Sequence, residues 1–263
     1  MWQHPVRQRL LNGEIVVAAT LVTPSVEAAA HAATLGFHFL WVEMEHSPIT
    51  LETLRLMVLA TRGLPAAIIA RVPVIELWTA KRVLDQGVSG VIFPFASTAA
   101  LAQRAVDATH YPPNGLRGSG AGLATSTWPD TGSYYDSADR NILTIVVIET
   151  REGLENIDEI AATPGIDVIF IGTSDLSFSL GFRGEQKPPE VVAAVEKIAA
   201  AAKRHGKFLG RPASTAAQIQ EWKKQGFLFF QTGTELGLMT AGAAQLLEPL
   251  GIEGLPLEKR ALY

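Results

Sequence analysis

Short apolar runs alternate along this chain with longer stretches in which apolar residues recur at helical spacing. The apolar runs are rich in Val, Ile, Leu and Phe, which is typical of strands buried on both faces. They span residues 15–21, 39–45, 66–72, 90–95, 143–149, 167–172, 207–212 and 227–233. The stretches of helical period lie at residues 25–36, 51–63, 75–87, 98–108, 152–165, 189–206 and 214–226, and several end in a glycine suited to a helix C-cap.

Eight strands joined by helices of this length favour parallel pairing with right-handed crossovers, and eight such units close into a (β/α)8 barrel. No change of composition marks a linker within the 263 residues. The sequence therefore predicts an α/β fold, a (β/α)8 TIM barrel, in which residues 1–263 form a single domain.

One segment interrupts this rhythm, from His110 to about Ser137, and it is rich in Gly, Pro, Ser and Thr. It is too long for an ordinary connection. We expect it after the fourth strand on the active-site side, where long loops act as lids or subunit contacts. The GSGAG run inside it follows no strand and opens no evident helix, so the pattern does not support a dinucleotide-binding fingerprint.

Composition and charge argue against some classes of partner and some kinds of metal site. The chain carries 22 basic and 26 acidic side chains, a net charge of -4, so nucleic acid and anionic membrane are not expected as partners. It contains no cysteine, which leaves His, Asp and Glu as the candidate metal ligands. The first ten residues lack the apolar core of a secretory signal, and no run is long enough to cross a bilayer. We expect a cytoplasmic enzyme that acts on a small molecule.

Two acidic residues stand where apolar runs end. Glu149 ends the fifth run and Asp175 follows the sixth. Carboxylates delivered from separate strand ends suit a hard divalent cation, because oxygen ligands favour Mg or Mn and would otherwise repel one another. Two other interpretations remain open: Glu149 could begin a helix, and Asp175 could be a helix N-cap.

Other strand ends also carry polar residues. The second strand ends in Glu43, Glu45 and His46, the third in Arg71 and the seventh in Arg211. Period-two alternation places Glu43 and Glu45 on one side of their strand. His46, in a loop beside two carboxylates, is a candidate for proton transfer, the alternative being a structural histidine. Arg71 is expected either to pair with a structural carboxylate or to bind an anionic substrate.

Several longer motifs occur in an order that resembles one known family. They are FHFLWVEMEHSP, the ARVP of residues 70–73, KRVLDQGVSGVIFP, YPPNGLRGSG, VVIET and DVIFIGTSDLSFSLG. Together they resemble the HpcH/HpaI aldolases, which are metal-dependent class II pyruvate aldolases. The resemblance covers nearly the whole chain.

The resemblance implies roles for the strand-end residues. Glu149 and Asp175 would bind a divalent cation, Mg, Mn or Co, with water and a 2-oxo acid as its remaining ligands. His46 would be the acid/base group, and Arg71 would hold the keto oxygen of the substrate and the enolate formed from it.

The resemblance also implies a carboxylate site and an oligomer. Gly172, Thr173 and Ser174 would bind the substrate, with backbone N–H groups at a helix start receiving the pyruvate carboxylate, as expected of helix N-termini. Asp85 resembles an aspartate that pairs with the catalytic histidine across a subunit boundary. Within its own barrel Asp85 is expected at the wrong end of its helix, so its role would require a homo-oligomer, a hexamer by resemblance.

Some positions depart from the family pattern. Glu43 stands where Asp is common, Val147 where Gln is common, Thr173–Ser174 where Pro-Ala is common, and Arg211–Pro212 is unusual. These changes alter the polar surroundings of the site and leave the metal and enolate residues in place.

The expected reaction is reversible cleavage of a 4-hydroxy-2-oxo acid into pyruvate and an aldehyde, through a metal-bound pyruvate enolate. No lysine lies at a strand end, which disfavours a Schiff-base aldolase. Two alternatives use the same site: decarboxylation of oxaloacetate, and lyase action on an acyl-CoA of the citryl- or malyl-CoA type. A third is an effector-binding barrel without catalysis, which has no need of an acid/base histidine.

Overall fold

Eight parallel strands close into one barrel in the computed structural model, which describes residues 3–128, 133–252 and 254. The strands are β1 (Val16–Leu21), β2 (Phe39–Glu43), β3 (Ala67–Arg71), β4 (Gly90–Phe93), β5 (Leu143–Ile148), β6 (Val168–Ile171), β7 (Phe208–Pro212) and β8 (Phe227–Thr234). Each coincides with one predicted run, and β8 pairs with β1 to complete the ring. The predicted (β/α)8 barrel is confirmed.

Helices cover the outside of this barrel. They are α1 (Pro5–Leu11), α2 (Val26–Ala32), α3 (Leu51–Ala60), α4 (Leu77–Asp85), α5 (Ala99–Thr109), α6 (Gly122–Thr125), α7 (Tyr134–Asn141), α8 (Arg151–Glu155), α9 (Ile157–Ala162), α10 (Thr173–Leu180), α11 (Pro189–Arg204), α12 (Ala216–Lys224) and α13 (Glu235–Leu247). All seven predicted helical stretches are present, and the one at 152–165 is divided into α8 and α9 at Asn156.

The barrel interior is filled by side chains from alternate strand positions. Trp41, Ile69, Val147 and Phe170 all belong to this inner cluster and are at most 3% exposed. The rings of Trp41 and Phe170 lie 5.0 Å apart between centroids. Because successive strand residues point to opposite faces, the next inward position on each strand lies two residues further along, at the carboxyl end. The packed interior therefore forms a floor beneath whatever occupies the mouth.

The long segment from His110 to Ser137 lies at the opposite end of the barrel from the one predicted. Helix α5 ends at Thr109 and has already returned the chain to the amino-terminal end of the strands, so the segment leads directly into β5. The indole N–H of Trp128 donates to the carbonyl of Gly87, at the connection into β4. The segment therefore lies on the α5-to-β5 side, and the expectation of a lid over the active site was wrong. Residues 129–132 of it lie outside the described part of the chain.

Candidate active site

Four inward positions at the carboxyl ends of neighbouring strands carry the candidate site. Glu43 lies two residues beyond Trp41, and Arg71 two beyond Ile69. Glu149 lies two residues beyond Val147, and Gly172 two beyond Phe170. The same alternation that fills the barrel with apolar side chains thus places polar groups at its mouth.

Glu149 is held from two sides. Its Oε1 accepts a hydrogen bond of 2.7 Å from the backbone N–H of Phe95, in the loop after β4. Its Oε2 lies 2.7 Å from the point where a Cβ on residue 172 would be, so only glycine fits there. Thr150, not Glu149, caps α8, because its hydroxyl accepts from the N–H of Gly153. The interpretation of Glu149 as the beginning of a helix was therefore wrong.

Burial dominates the electrostatics of Glu149, which is 3% exposed. Loss of solvent raises the pKa of its carboxyl from the ordinary 4.5 to about 7. The hydrogen bond from Phe95 opposes this shift, and the nearby charges of Asp175 and Glu45 add to it. The ionised form of Glu149 is therefore unfavourable until a positive charge joins the site.

Helix α10 begins at Thr173, with Gly172 as its N-cap. The first intrahelical bond of this end runs from the N–H of Leu176 to the carbonyl of Gly172. The backbone N–H groups of Thr173, Ser174 and Asp175 lie in the first turn, before Leu176, and N–H groups in this position have no acceptor within the helix. The predicted helix start is thus present, and Asp175 is the third helical residue and not the N-cap.

Arg71 is fixed by two carboxylates. Its Nε donates to Oε2 of Glu43 at 2.6 Å, and its Nη1 lies 3.1 Å from Oε2 of Glu45. Glu43 is 2% exposed and also accepts from the indole N–H of Trp41 and the backbone N–H groups of Glu45 and His46. No described residue accepts from Nη2 of Arg71. The guanidinium is therefore held through Nε and Nη1, and Nη2 is left for another acceptor.

His46 lies in the turn that follows β2. Its side chain is 55% exposed, and its Nε2 is 3.7 Å from Oε2 of Glu45. Burial is the main cause that raises the pKa of Glu45, while Arg71 and His46 act in the opposite direction. The structure thus brings His46 to the mouth as a solvent-accessible base beside a carboxylate, and it is not a buried structural histidine.

Two predicted residues are not part of this cluster. Asp85 is the last residue of α4, at the far end of the barrel, where its Oδ1 lies 3.0 Å from Nη2 of Arg117. Arg211 points outward from β7, because Gly210 occupies the inward position, and its guanidinium lies 3.6 Å from the ring centroid of Trp222. Burial lowers the pKa of Arg211 to about 10. The expectation that Arg211 joins the strand-end group was wrong.

The donor set fits a divalent cation. Glu149 and Asp175 carry carboxylate oxygens of the kind that Mg and Mn prefer. The charge of Asp175 raises the pKa of both Glu149 and Glu45, so the three carboxylates are within electrostatic reach. Among the described residues, no three His, Asp or Glu side chains form an all-protein site. A resident ion would therefore take water or substrate oxygens as further ligands.

One contact in the candidate site cannot be predicted from the sequence. The amide of Phe95 reaches Glu149 from a neighbouring loop, and a backbone contact of this kind leaves no trace in residue type. The role of Gly172, by contrast, follows from its place between an inward strand position and a helix start.

Comparison with known proteins agrees with this fold. Residues 21–241 match the HpcH/HpaI aldolase/citrate lyase family. A 5-keto-4-deoxy-D-glucarate aldolase from Klebsiella pneumoniae subsp. pneumoniae is 38% identical over 216 residues, which cover 81% of this chain and 83% of that one.

Two solved structures are similar over most of their length. An HpcH/HpaI aldolase/citrate lyase family protein from Burkholderia cenocepacia J2315 has a TM-score of 0.86 and 29% identity, covering 94% of this chain and 99% of its own. The citrate synthase SbnG has a TM-score of 0.83 and 28% identity, covering 93% and 96%.

The fold and these comparisons define a barrel lyase that acts on carbon–carbon bonds. The chain belongs to the HpcH/HpaI aldolase/citrate lyase family. The predicted family and the predicted enzyme class, a class II aldolase, are confirmed. Among the described residues, no helix is long and apolar enough to cross a membrane.

Proposed function

We propose that this aldolase reversibly cleaves a 4-hydroxy-2-oxo acid into pyruvate and an aldehyde, with a divalent cation, Mg, Mn or Co, bound by Glu149 and Asp175. The observation that carries the proposal is the buried carboxyl of Glu149, whose pKa is raised to about 7 beside a second acidic residue. When bound, the cation would act as a Lewis acid that stabilises negative charge developing at the carbonyl of the 2-oxo acid.

The chain itself supplies a second positive group for that charge. Arg71 is held by Glu43 at Nε and by Glu45 at Nη1, and its Nη2 would be the donor offered to the substrate. A donor fixed before the reaction needs no reorganisation when an enolate forms, which is the main advantage of electrostatic catalysis. The amides of the first turn of α10, at Thr173 and Ser174, would receive the pyruvate carboxylate.

His46 is proposed as the group that moves the proton. In the cleavage direction it takes the proton of the C4 hydroxyl, directly or through water, and in the synthetic direction it returns this proton to the new alkoxide. Its exposed side chain, with Nε2 3.7 Å from Glu45, can exchange protons with solvent between turnovers.

The names of the relatives support a substrate class. Their name, 5-keto-4-deoxy-D-glucarate aldolase, describes cleavage of an oxo sugar acid. We propose hydroxy-oxo sugar acids as substrates here. Oxaloacetate is the most informative second substrate, because its decarboxylation leads to the same enolate without an aldehyde partner.

A coupled assay of pyruvate release tests the proposal. Chelator should abolish release from hydroxy-oxo sugar acids, and Mn, Co or Mg should restore it. Glu149→Gln and Asp175→Asn should remain inactive when metal is added. Glu76→Gln is a matched control, since Glu76 lies at the same end of the barrel and pairs with Arg104 on the surface. Release that is indifferent to chelator would reject the metal proposal.

The proposal extends to assembly and location. We infer a homo-oligomer, a hexamer, in which Asp85 acts at the site of a neighbouring subunit, and a cytoplasmic location. Light scattering during size-exclusion chromatography measures the oligomer. Asp85→Asn should lower kcat only if the subunits associate, and a fully active monomer would reject this part.

A further inference from the structure

The loop after β4 contains a backbone conformation that is costly for its residue type. Phe95 has φ 53°, in the left-handed region, and it is one of two described non-glycine residues with a positive φ. Aromatic side chains rarely adopt this conformation, because the Cβ approaches the carbonyl oxygen of the same residue. Such an outlier persists only where the surrounding structure holds it in place.

Burial of the ring does not explain the conformation. Phe95 is 48% exposed, while its neighbours from residue 87 to residue 97 are all buried. Its ring has no aromatic partner among the described residues. A side chain that contributes little packing gives no reason to hold its backbone in a strained state.

The backbone N–H of Phe95 provides the reason. It donates to Oε1 of Glu149 at 2.7 Å, at the short end of the range for an amide donor. The other oxygen, Oε2, lies against Gly172 at the barrel mouth. One oxygen is thus occupied by the loop, and the second is directed toward the site.

The loop is tied at three further points to β5 and to the residues that flank helix α8. The N–H of Ala96 donates to the carbonyl of Val147 at 3.2 Å. The hydroxyls of Ser97 and Thr150 lie 2.7 Å apart, and the side-chain amide of Asn156 donates to the carbonyl of Ser97 at 2.9 Å. These contacts on both sides of Glu149 fix the orientation of the Phe95 amide.

We propose that Phe95 is a positioning residue, whose left-handed backbone aims its amide at Glu149 and so orients this carboxylate toward the divalent cation. The inference rests on the proposed function, since it assigns a purpose to the orientation of a metal ligand. It concerns the amide and not the phenyl ring.

Replacing one backbone amide by an ester tests this directly. Phenyllactate in place of Phe95 removes the N–H and keeps the ring. The matched control is lactate in place of Ala213, which removes a backbone N–H that donates to the carbonyl of Gln231 at the same end of the barrel and belongs to neither Glu149 nor the loop after β4. Titration of the metal-free proteins with Mn, monitored by calorimetry, reports affinity without any turnover. Loss of a group that orients a ligand typically weakens metal binding 10- to 100-fold, so we expect a Kd at least about 10-fold higher for the residue 95 ester than for the residue 213 ester.

A second pair of variants keeps the test decisive if an ester protein does not fold. Phe95→Gly retains the amide and tolerates a positive φ, whereas Phe95→Val retains the amide but strongly resists that conformation. We expect Phe95→Gly to bind Mn about 10-fold more tightly than Phe95→Val. Equal affinities in this pair, or equal affinities of the two esters, would overturn the inference.

The outcome separates this inference from the proposed function. If wild type binds no Mn, or if Glu149→Gln binds it as well as wild type does, the metal proposal itself fails. If wild type binds Mn and Glu149→Gln does not, but the residue 95 ester behaves like its control, only the role of Phe95 is rejected.

Discussion

Replacing Glu149 by glutamine removes a buried carboxyl whose ionised form the folded chain disfavours. The pKa of this group is raised in the folded state to about 7, above its ordinary 4.5. A raised pKa contributes stability that is fully present below the unfolded pKa and is lost as the pH rises through the folded one. The metal-free protein should therefore lose stability between about pH 4.5 and pH 7 because of this residue.

The size of the effect follows from the shift and the burial. Glu149 is 3% exposed, so solvent screens it little. A pKa raised from 4.5 to about 7 corresponds to about 3 kcal/mol at pH 8, and to about 1 kcal/mol at pH 5.5. Glutamine has nearly the same shape, still accepts from Phe95 and carries no charge. Glu149→Gln should thus be more stable than wild type at pH 8, although it lacks a proposed catalytic ligand.

Urea unfolding at pH 8 and pH 5.5, with chelator present, measures this difference. The exposed Glu76→Gln serves as control and should change stability by less than about 0.5 kcal/mol at either pH. Saturating Mn should stabilise wild type and leave Glu149→Gln unchanged, because only the wild type binds the ion. The effect assigned to the burial of Glu149 would be contradicted if the variant were less stable than wild type at pH 8, or if its free energy of unfolding differed from that of wild type by the same amount at both pH values.

Three further predictions concern single side chains. Gly172→Ala should weaken Mn binding at least about 10-fold in calorimetry, because the new Cβ would displace the carboxylate of Glu149; unchanged affinity would show that the close approach is unimportant. His46→Ala should lower kcat at least about 100-fold while pyruvate binding changes little, and an unchanged kcat would assign the proton transfer elsewhere. Arg211→Met should keep kcat/KM near wild type whereas Arg71→Met should abolish measurable pyruvate release; similar losses in both would return Arg211 to the site.

The strands and most of the site were predictable because one pattern governs both. Alternation with period two fills the barrel with Trp41 and Phe170, and the same alternation places Glu43 and Glu149 at the mouth. Strand ends and helix starts are local features, so the position of Asp175 in the first turn of α10 also follows from its neighbours in sequence.

Other features depend on information that residue type does not carry. Arg211 lies near a strand end like the rest, but its side chain points outward to Trp222, because the inward position on β7 is Gly210. The prediction for the segment after His110 gave the wrong end of the barrel, because α5 returns the chain to the amino-terminal end of the strands before this segment begins. The contact of Phe95 with Glu149 joins two loops 54 residues apart through a backbone amide, which no side-chain pattern indicates.

Anomalous diffraction at the manganese edge, from crystals grown with Mn and pyruvate, locates the bound ion itself. We expect one strong peak within about 2.5 Å of a carboxylate oxygen of Glu149 and of Asp175, and no such peak in crystals of Glu149→Gln. A peak at any other position, or none between these two carboxylates in crystals of active enzyme, would contradict the proposed metal site.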